Sequence, residues 1–273
     1  MRTSQNLVLN RLLLIIFSTL LLSSCASKRD IGDLGQSDVE SLYNRAKTSL
    51  DRGDYNFAID YYRALEASYP YGDYTEQAKL DMIYALNKTN QGSAAIDVAN
   101  NFTTLYPTHP NVDYAYYMKG VANFEKKRSA IDRFITGKNL AVRDPKPYRD
   151  SEAAFNELLR RFPESIYADD AKQRLVFLRN AQADREMAIA NYYFNNDVYV
   201  AALNRAKTVI YQYETSPAVE EALIMMQKSY LAMGMEDLAY STHEVLVRNF
   251  PENNADPLEA ESRGLIARIF NRG

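Results

Sequence analysis

The residues of this sequence that could do chemistry are one cysteine, two histidines, a few adjacent acid pairs and an unusual supply of tyrosine. Cys25 is the only cysteine among the 273 residues, which excludes an intrachain disulfide and any cysteine-based metal cluster. His109 and His243 are far apart, so neither a histidine metal site nor a catalytic triad is expected. His109, between Thr108 and Pro110, reads as a loop hydrogen-bonder. Asp169-Asp170 and Glu220-Glu221 fall in first turns of expected helices, where the helix dipole favours acid, and that accounts for them better than general acid–base work. The sequence holds no glycine-rich phosphate loop, no GxSxG and no HExxH. No catalytic residue, metal or cofactor is therefore assigned, and an enzyme is the least supported class. What remains is covalent modification at Cys25 and recognition through tyrosine, of which there are 21 against no tryptophan. Tyrosine offers rigid amphipathic area that tolerates partial exposure.

The setting of Cys25 gives its chemistry. Arg2 and Arg11 precede an apolar run, Leu12–Phe17 with Leu20–Leu22, and small residues Ser23 and Ser24 lead to the cysteine. That is a secretory signal pattern over 1–24, with an apolar core shorter than the ~20 residues of a spanning helix. Leu22-Ser23-Ser24-Cys25 resembles the bacterial lipobox, which implies cleavage before Cys25, so that it becomes the first residue of the mature protein and carries lipid. Several acyl chains hold a membrane stably where one alone is marginal. No aspartate follows the cysteine, which favours the outer over the inner membrane, and 25–36 reads as a lipid-anchored tether.

The elements beyond it are set by repetition. In Gly53–Pro70, Ala58, Leu65 and Tyr69 precede a closing proline. The same small, apolar, aromatic order recurs as Ala95, Phe102, Tyr106; Ser151, Leu158, Phe162; Ala202, Val209, Tyr213; and Ala239, Leu246, Phe250. The five aromatics lie 37, 56, 51 and 37 residues apart. Helix pairs with a period of ~34 residues are tetratricopeptide-like. The spacing predicts an all-α, right-handed superhelical array of five hairpins over 37–251, at about 39–70, 75–107, 112–163, 166–214 and 218–251.

Within it, Ser37-Asp38 cap the first helix, Thr75–Lys88 is a helix, and Ser93 caps Ala94–Tyr106. The excess in the third repeat falls in 126–147, between its helices. The excess in the fourth is absorbed by one long helix over 166–195. Residues 252–273, with Leu258, Leu265, Ile266, Ile269 and Phe270 on one stripe, predict an amphipathic capping helix. Stacked hairpins leave a curved groove suited to extended segments or partner helices. Tyr62, Tyr69 and Tyr106 are expected in the core. Tyr71, Tyr74, Tyr116, Tyr117, Tyr192 and Tyr193 are expected to face the groove.

Charge narrows the partners. After the first 24 residues the chain carries 30 basic and 35 acidic groups, a net −5, whereas nucleic-acid binding wants a basic face. No nucleic-acid partner is expected.

Four stretches carry a resemblance: YPYGDYTEQAKLDMIYA (Tyr69–Ala85), YPTHPNVDYAYYMKG (Tyr106–Gly120), RDPKPYRDSEAAF (Arg143–Phe155) and AKQRLVFLRN (Ala171–Asn180). They resemble the BamD family, lipoproteins of the bacterial β-barrel assembly machinery, over nearly all of the chain after the signal. The resemblance implies a periplasmic scaffold, lipid-anchored to the outer membrane, that passes unfolded outer-membrane proteins to BamA. It implies amino-terminal repeats that receive the substrate's β-signal and contact BamC, and carboxy-terminal repeats that dock BamA's last periplasmic domain and BamE. By motif, Arg205 in ALNRA and Tyr192 in NYYFN match family residues at the BamA contact, while Tyr71, Tyr74, Tyr116 and Tyr117 stand as substrate-groove candidates. The chain departs from the family pattern at Asn101 and Thr104, where arginines are expected. Other envelope scaffolds, organising peptidoglycan enzymes or DNA uptake, are the alternative reading.

Overall fold

The computed structural model describes residues 38–125 and 146–254. These form ten helices: α1 (Val39–Asp51), α2 (Tyr55–Ser68), α3 (Asp73–Lys88), α4 (Gly92–Leu105), α5 (Val112–Glu125), α6 (Lys146–Arg161), α7 (Ala168–Asn195), α8 (Tyr199–Gln212), α9 (Ala218–Ala232) and α10 (Glu236–Asn249). Each odd-numbered helix packs on the even one that follows, and each pair packs on the next, so the fold is an all-α stack of helix hairpins. The signal, the tether, most of the third-repeat insertion and the expected capping helix lie outside the described residues.

One hydrogen bond explains the repeated order small–apolar–aromatic. The amides of Tyr69, Tyr106, Phe162, Tyr213 and Phe250 donate to the carbonyls of Leu65, Phe102, Leu158, Val209 and Leu246, closing the last turn of every second helix. The apolar acceptor and the small residue seven before it are buried in all five copies. The small residue lets helices approach, and the apolar one fills the layer between them. Tyr62 is buried as expected, whereas Tyr69 and Tyr106 are only partly so, because each sits at a helix end.

The turns inside the hairpins share a second device. Gly53, Asn90, Asp197 and Gly234 all have φ between 59° and 80°. The residue after each donates five back: Asp54 to Ser49, Gln91 to Leu86, Val198 to Tyr193, Met235 to Tyr230. This is the Schellman cap, which places one left-handed residue after the helix. At Gly53 an added Cβ would meet nothing within 4 Å, so Gly53→Ala carries only the conformational cost. We expect about 1 kcal/mol of lost stability in chemical denaturation, with no change in circular dichroism.

Two helix starts differ from expectation. Asp38 does cap α1, accepting from the Ser41 amide at 2.9 Å. However, α3 begins at Asp73, because Gly72 at φ 110° turns the chain directly into it. Helix α4 begins at Gly92 with Gln91 as the capping position, so Ser93 is already inside. There the Schellman bond of the preceding turn fixes where the next helix can start.

The tightest crossing is between α5 and α6. Gly120 faces the buried Phe155 ring so closely that a Cβ would fall 2.5 Å from it. Ser151 Oγ donates to the Gly120 carbonyl at 2.9 Å. First helices of neighbouring pairs also touch directly, α1 with α3, α3 with α5 and α7 with α9, whereas no two second helices are in comparable contact. The first helices thus line the tighter side of the stack.

Candidate interaction surfaces

Helix α3 shows how the tighter side is built. Its core residues, Ala78, Met82, Ile83, Ala85 and Leu86, occupy one side. Tyr74, Gln77, Asp81 and Tyr84 follow at intervals of three and four and form a stripe on another. Asp81 is the hub of this stripe. Its Oδ2 accepts from the hydroxyls of Tyr43 on α1 and Tyr62 on α2, both at 3.0 Å, and its Oδ1 accepts from Gln77 Nε2 at 3.0 Å. Burial, then the Asp81 charge, push both tyrosine pKa values far above the ordinary phenol, so both hydroxyls stay donors.

From that hub the aromatic surface spreads both ways. Tyr74 lies 5.4 Å from Tyr43, ring to ring, and is 37 % exposed. Tyr71 is 83 % exposed, held outward by the Gly72 turn and by Thr75 Oγ1, which donates to the Tyr69 carbonyl. In the other direction Tyr55 meets Tyr84 edge-on at 6.1 Å. With Tyr114 of α5 they line a hollow of about 570 Å³ rimmed by Lys47, Asp51, Arg52 and Asp81. Tyr43, Tyr55, Tyr84 and Tyr114 were not singled out from sequence. The α3 stripe was the signal available for Tyr84, whereas Tyr55 and Tyr114 join only through packing.

Tyr71 and Tyr74 stand on either side of the Gly72 turn, with Tyr74 against the Tyr43 ring, whereas Tyr116 and Tyr117 part company. Adjacent helical residues point about 100° apart. Tyr117 stacks on Tyr167 at 4.8 Å, and its hydroxyl donates to Asp170 at 2.7 Å. Burial, with that hydrogen bond, pushes its pKa up to about 12. Asp170 also accepts from Arg174 Nε at 2.5 Å. Burial alone would raise the Asp170 pKa, but these two donors outweigh it and hold the carboxyl below its usual range. Tyr116 instead packs against Phe162 under the Arg161 guanidinium. It lines a hollow of about 730 Å³ between the second helices α4 and α6.

At the departure positions, Asn101 Oδ1 accepts from the buried Lys79, which also pairs with Glu66. Thr104 donates to the Asn100 carbonyl.

A second surface lies on α7 and α8. Tyr192 is 63 % exposed and meets Tyr193 edge-on. Arg205 Nη1 donates to Glu186 Oε2 at 2.9 Å, and Arg185 reaches the other oxygen of Glu186. Glu186 precedes Tyr192 by six residues, about 9 Å of helix rise and about 120° around the axis, so α7 carries both Tyr192 and the carboxylate that holds Arg205 but presents them in different directions. The acid pairs Asp169-Asp170 and Glu220-Glu221 do sit in first turns, and His109 Nδ1 accepts from the Asn111 amide within its loop. No group among the described residues has the makings of a metal site, and no described helix is long and apolar enough to cross a membrane.

Residues 35–246 match the family model YfiO, described as an outer membrane lipoprotein. Among curated relatives, the outer membrane protein assembly factor BamD of Neisseria meningitidis is 35 % identical over 249 residues, covering 90 % of this chain and 93 % of the relative. The BamD of Vibrio cholerae is 32 % identical over 230 residues, 84 % of this chain and 94 % of the relative. That of Haemophilus influenzae is 35 % identical over 217 residues, 80 % and 82 %. These matches place the chain in the YfiO family of outer-membrane lipoproteins, the family of the BamD assembly factors.

Proposed function

We propose that this protein is a non-catalytic scaffold of the β-barrel assembly machinery, anchored by lipid on Cys25 at the periplasmic face of the outer membrane. The observation that carries this is the family match across nearly the whole hairpin stack. The first three hairpins hold extended segments of unfolded outer-membrane proteins on the tyrosine surface around Tyr71 and Tyr74. The fourth, through Arg205 and Tyr192, docks BamA, and accessory lipoproteins of the BamC and BamE type join the same scaffold.

The physics favours helices for this task. A substrate's terminal β-strand carries alternate aromatic side chains and unpaired backbone groups, and a sheet edge would pair with them. A helical surface offers no such edge. Tyrosine rings can take the side chains while the strand's backbone stays hydrated and free to join a barrel later.

Affinity purification of the tagged full chain from detergent-solubilised outer membranes tests the reading. BamA is expected to co-purify, and its absence would overturn the proposal. Mass spectrometry is expected to find an acylated Cys25 as the first residue. In titration with a peptide ending in an aromatic β-strand, Tyr71→Ala with Tyr74→Ala is expected to weaken binding about tenfold, as befits two exposed aromatic anchors. Unchanged affinity would remove the tyrosine surface from the site. BamA recovery serves as the internal control, since these tyrosines lie away from Arg205.

A further inference from the structure

Arg205 takes its company from the groove between second helices rather than from Tyr192. Its partner Glu186 is nearly buried and lies between two guanidiniums, Arg205 of α8 on one oxygen and Arg185 of α7 on the other. A carboxylate that deep is costly unless cations and hydrogen bonds compensate it. Helix α6 adds Glu152, which accepts from Gln182 Nε2 at 3.0 Å, and Arg149. The hydroxyl of Tyr213, at the end of α8, lies in the field of all these groups. Burial, then Glu186 and Glu152, raise its pKa, while Arg149 and Arg185 oppose them. Three arginines thus gather with two glutamates, and one positive charge is left unbalanced.

Exposure rises outward through the cluster. The Glu186 side chain is 12 % exposed, that of Arg185 22 % and that of Arg205 42 %. The Arg205 side chain makes no other hydrogen bond or ion pair among the described residues, so the rest of its N–H fork is open to an acceptor from outside. An untethered arginine on a helix surface samples many rotamers and gives up that freedom on binding. Here the carboxylate that tethers it is itself held from the other side by Arg185, and the fork is set before any partner arrives.

We propose that Glu186 is the positioning residue of the docking surface on α8: clamped by Arg185, it holds Arg205 in the direction from which the guanidinium receives a carboxylate of the partner. The proposal rests on the reading that the fourth hairpin docks BamA. A planar guanidinium fits an acidic group better than any other side chain does. If Arg205 acted through its charge alone, Glu186 would only weaken the positive field, and removing it would strengthen attraction for an acidic partner. The two accounts therefore differ in sign.

Titration of purified BamA against the full chain in detergent separates them. Glu186→Gln keeps the shape of the side chain and removes the negative charge. It is expected to weaken binding about tenfold, although the surface becomes more positive; unchanged or tighter binding would overturn the proposal. Arg205→Lys keeps the charge but not the fork, and adding Glu186→Gln to it is expected to cost less than about twofold more, since no fork is then left to aim. Additive losses would overturn it as well. Thermal unfolding, and peptide binding at Tyr71 and Tyr74, report on the fold. Should Glu186→Gln fail these controls, Arg185→Gln replaces it: Glu186 stays charged but loses its clamp, and binding is expected to weaken about threefold, with no change overturning the proposal. An unaltered chain that does not bind BamA overturns the docking reading and this inference together. One that binds BamA but is indifferent to Glu186 and Arg185 overturns the inference alone.

Discussion

Gly120→Ala is expected to cost about 3 kcal/mol of unfolding free energy, at the upper end of overpacking effects. An alanine Cβ would sit 2.5 Å from Cε1 and 2.6 Å from Cδ1 of Phe155. Phe155 is fully buried, so its ring has no empty space into which to turn. The alternative, moving α5 away from α6, stretches the bond from Ser151 Oγ to the Gly120 carbonyl. Both routes lose packing across the third hairpin. Urea denaturation followed by circular dichroism reads the effect. Phe155→Leu alone leaves a cavity, but combined with Gly120→Ala it is expected to recover about 1 kcal/mol relative to the sum of the single changes, because the new methyl fills part of the space. Additive costs would show that the contact is not the cause.

The second large effect is expected at Asp81. Asp81→Ala strands the Tyr62 hydroxyl inside the first two hairpins, in a residue with no solvent exposure. An unsatisfied buried donor costs about 1–3 kcal/mol, more where the lost acceptor is charged. Tyr43 loses its acceptor too but is only partly buried and can turn to water. We expect about 3 kcal/mol in total, measured by thermal and urea unfolding. Tyr62→Phe should cost about 1 kcal/mol, and adding it to Asp81→Ala should recover part of the loss, since no orphaned hydroxyl is then left. A double variant no better than Asp81→Ala would mean that Asp81 acts through its charge alone. Peptide binding at Tyr74 is expected to weaken with Asp81→Ala as well, because Tyr43, against which Tyr74 rests, loses its anchor.

The hairpins were legible because each is written in local terms. A proline after the closing aromatic, or a left-handed residue in the turn inside a hairpin, stops a helix by backbone geometry alone, and apolar residues at intervals of three and four mark a buried stripe. The five aromatics also served as rulers, since each closes a helix through its own amide, a bond that does not depend on the side chain's surroundings. Helix starts were less legible. The beginning of α4 depends on a bond from Gln91 back to Leu86 across the turn, and no residue type announces it.

Tyrosines separate the two kinds of information most clearly. Sequence treats Tyr116 and Tyr117 as one pair beside Tyr71 and Tyr74. In the fold one of that pair packs between second helices and the other donates to Asp170 on α7. Likewise, the motif marks Arg205 but gives no sign of the carboxylate that holds it, Glu186 on α7.

By itself the sequence determined the helix-hairpin repeat, its register and the family to which the chain belongs. These rest on periodicity and short motifs, and both survive translation along the chain. Only the tertiary structure decided which tyrosines share a surface and that Asp81 joins three helices. Those facts depend on the direction each side chain takes from its helix axis and on how neighbouring pairs stack, and both are settled by contacts between residues distant in sequence.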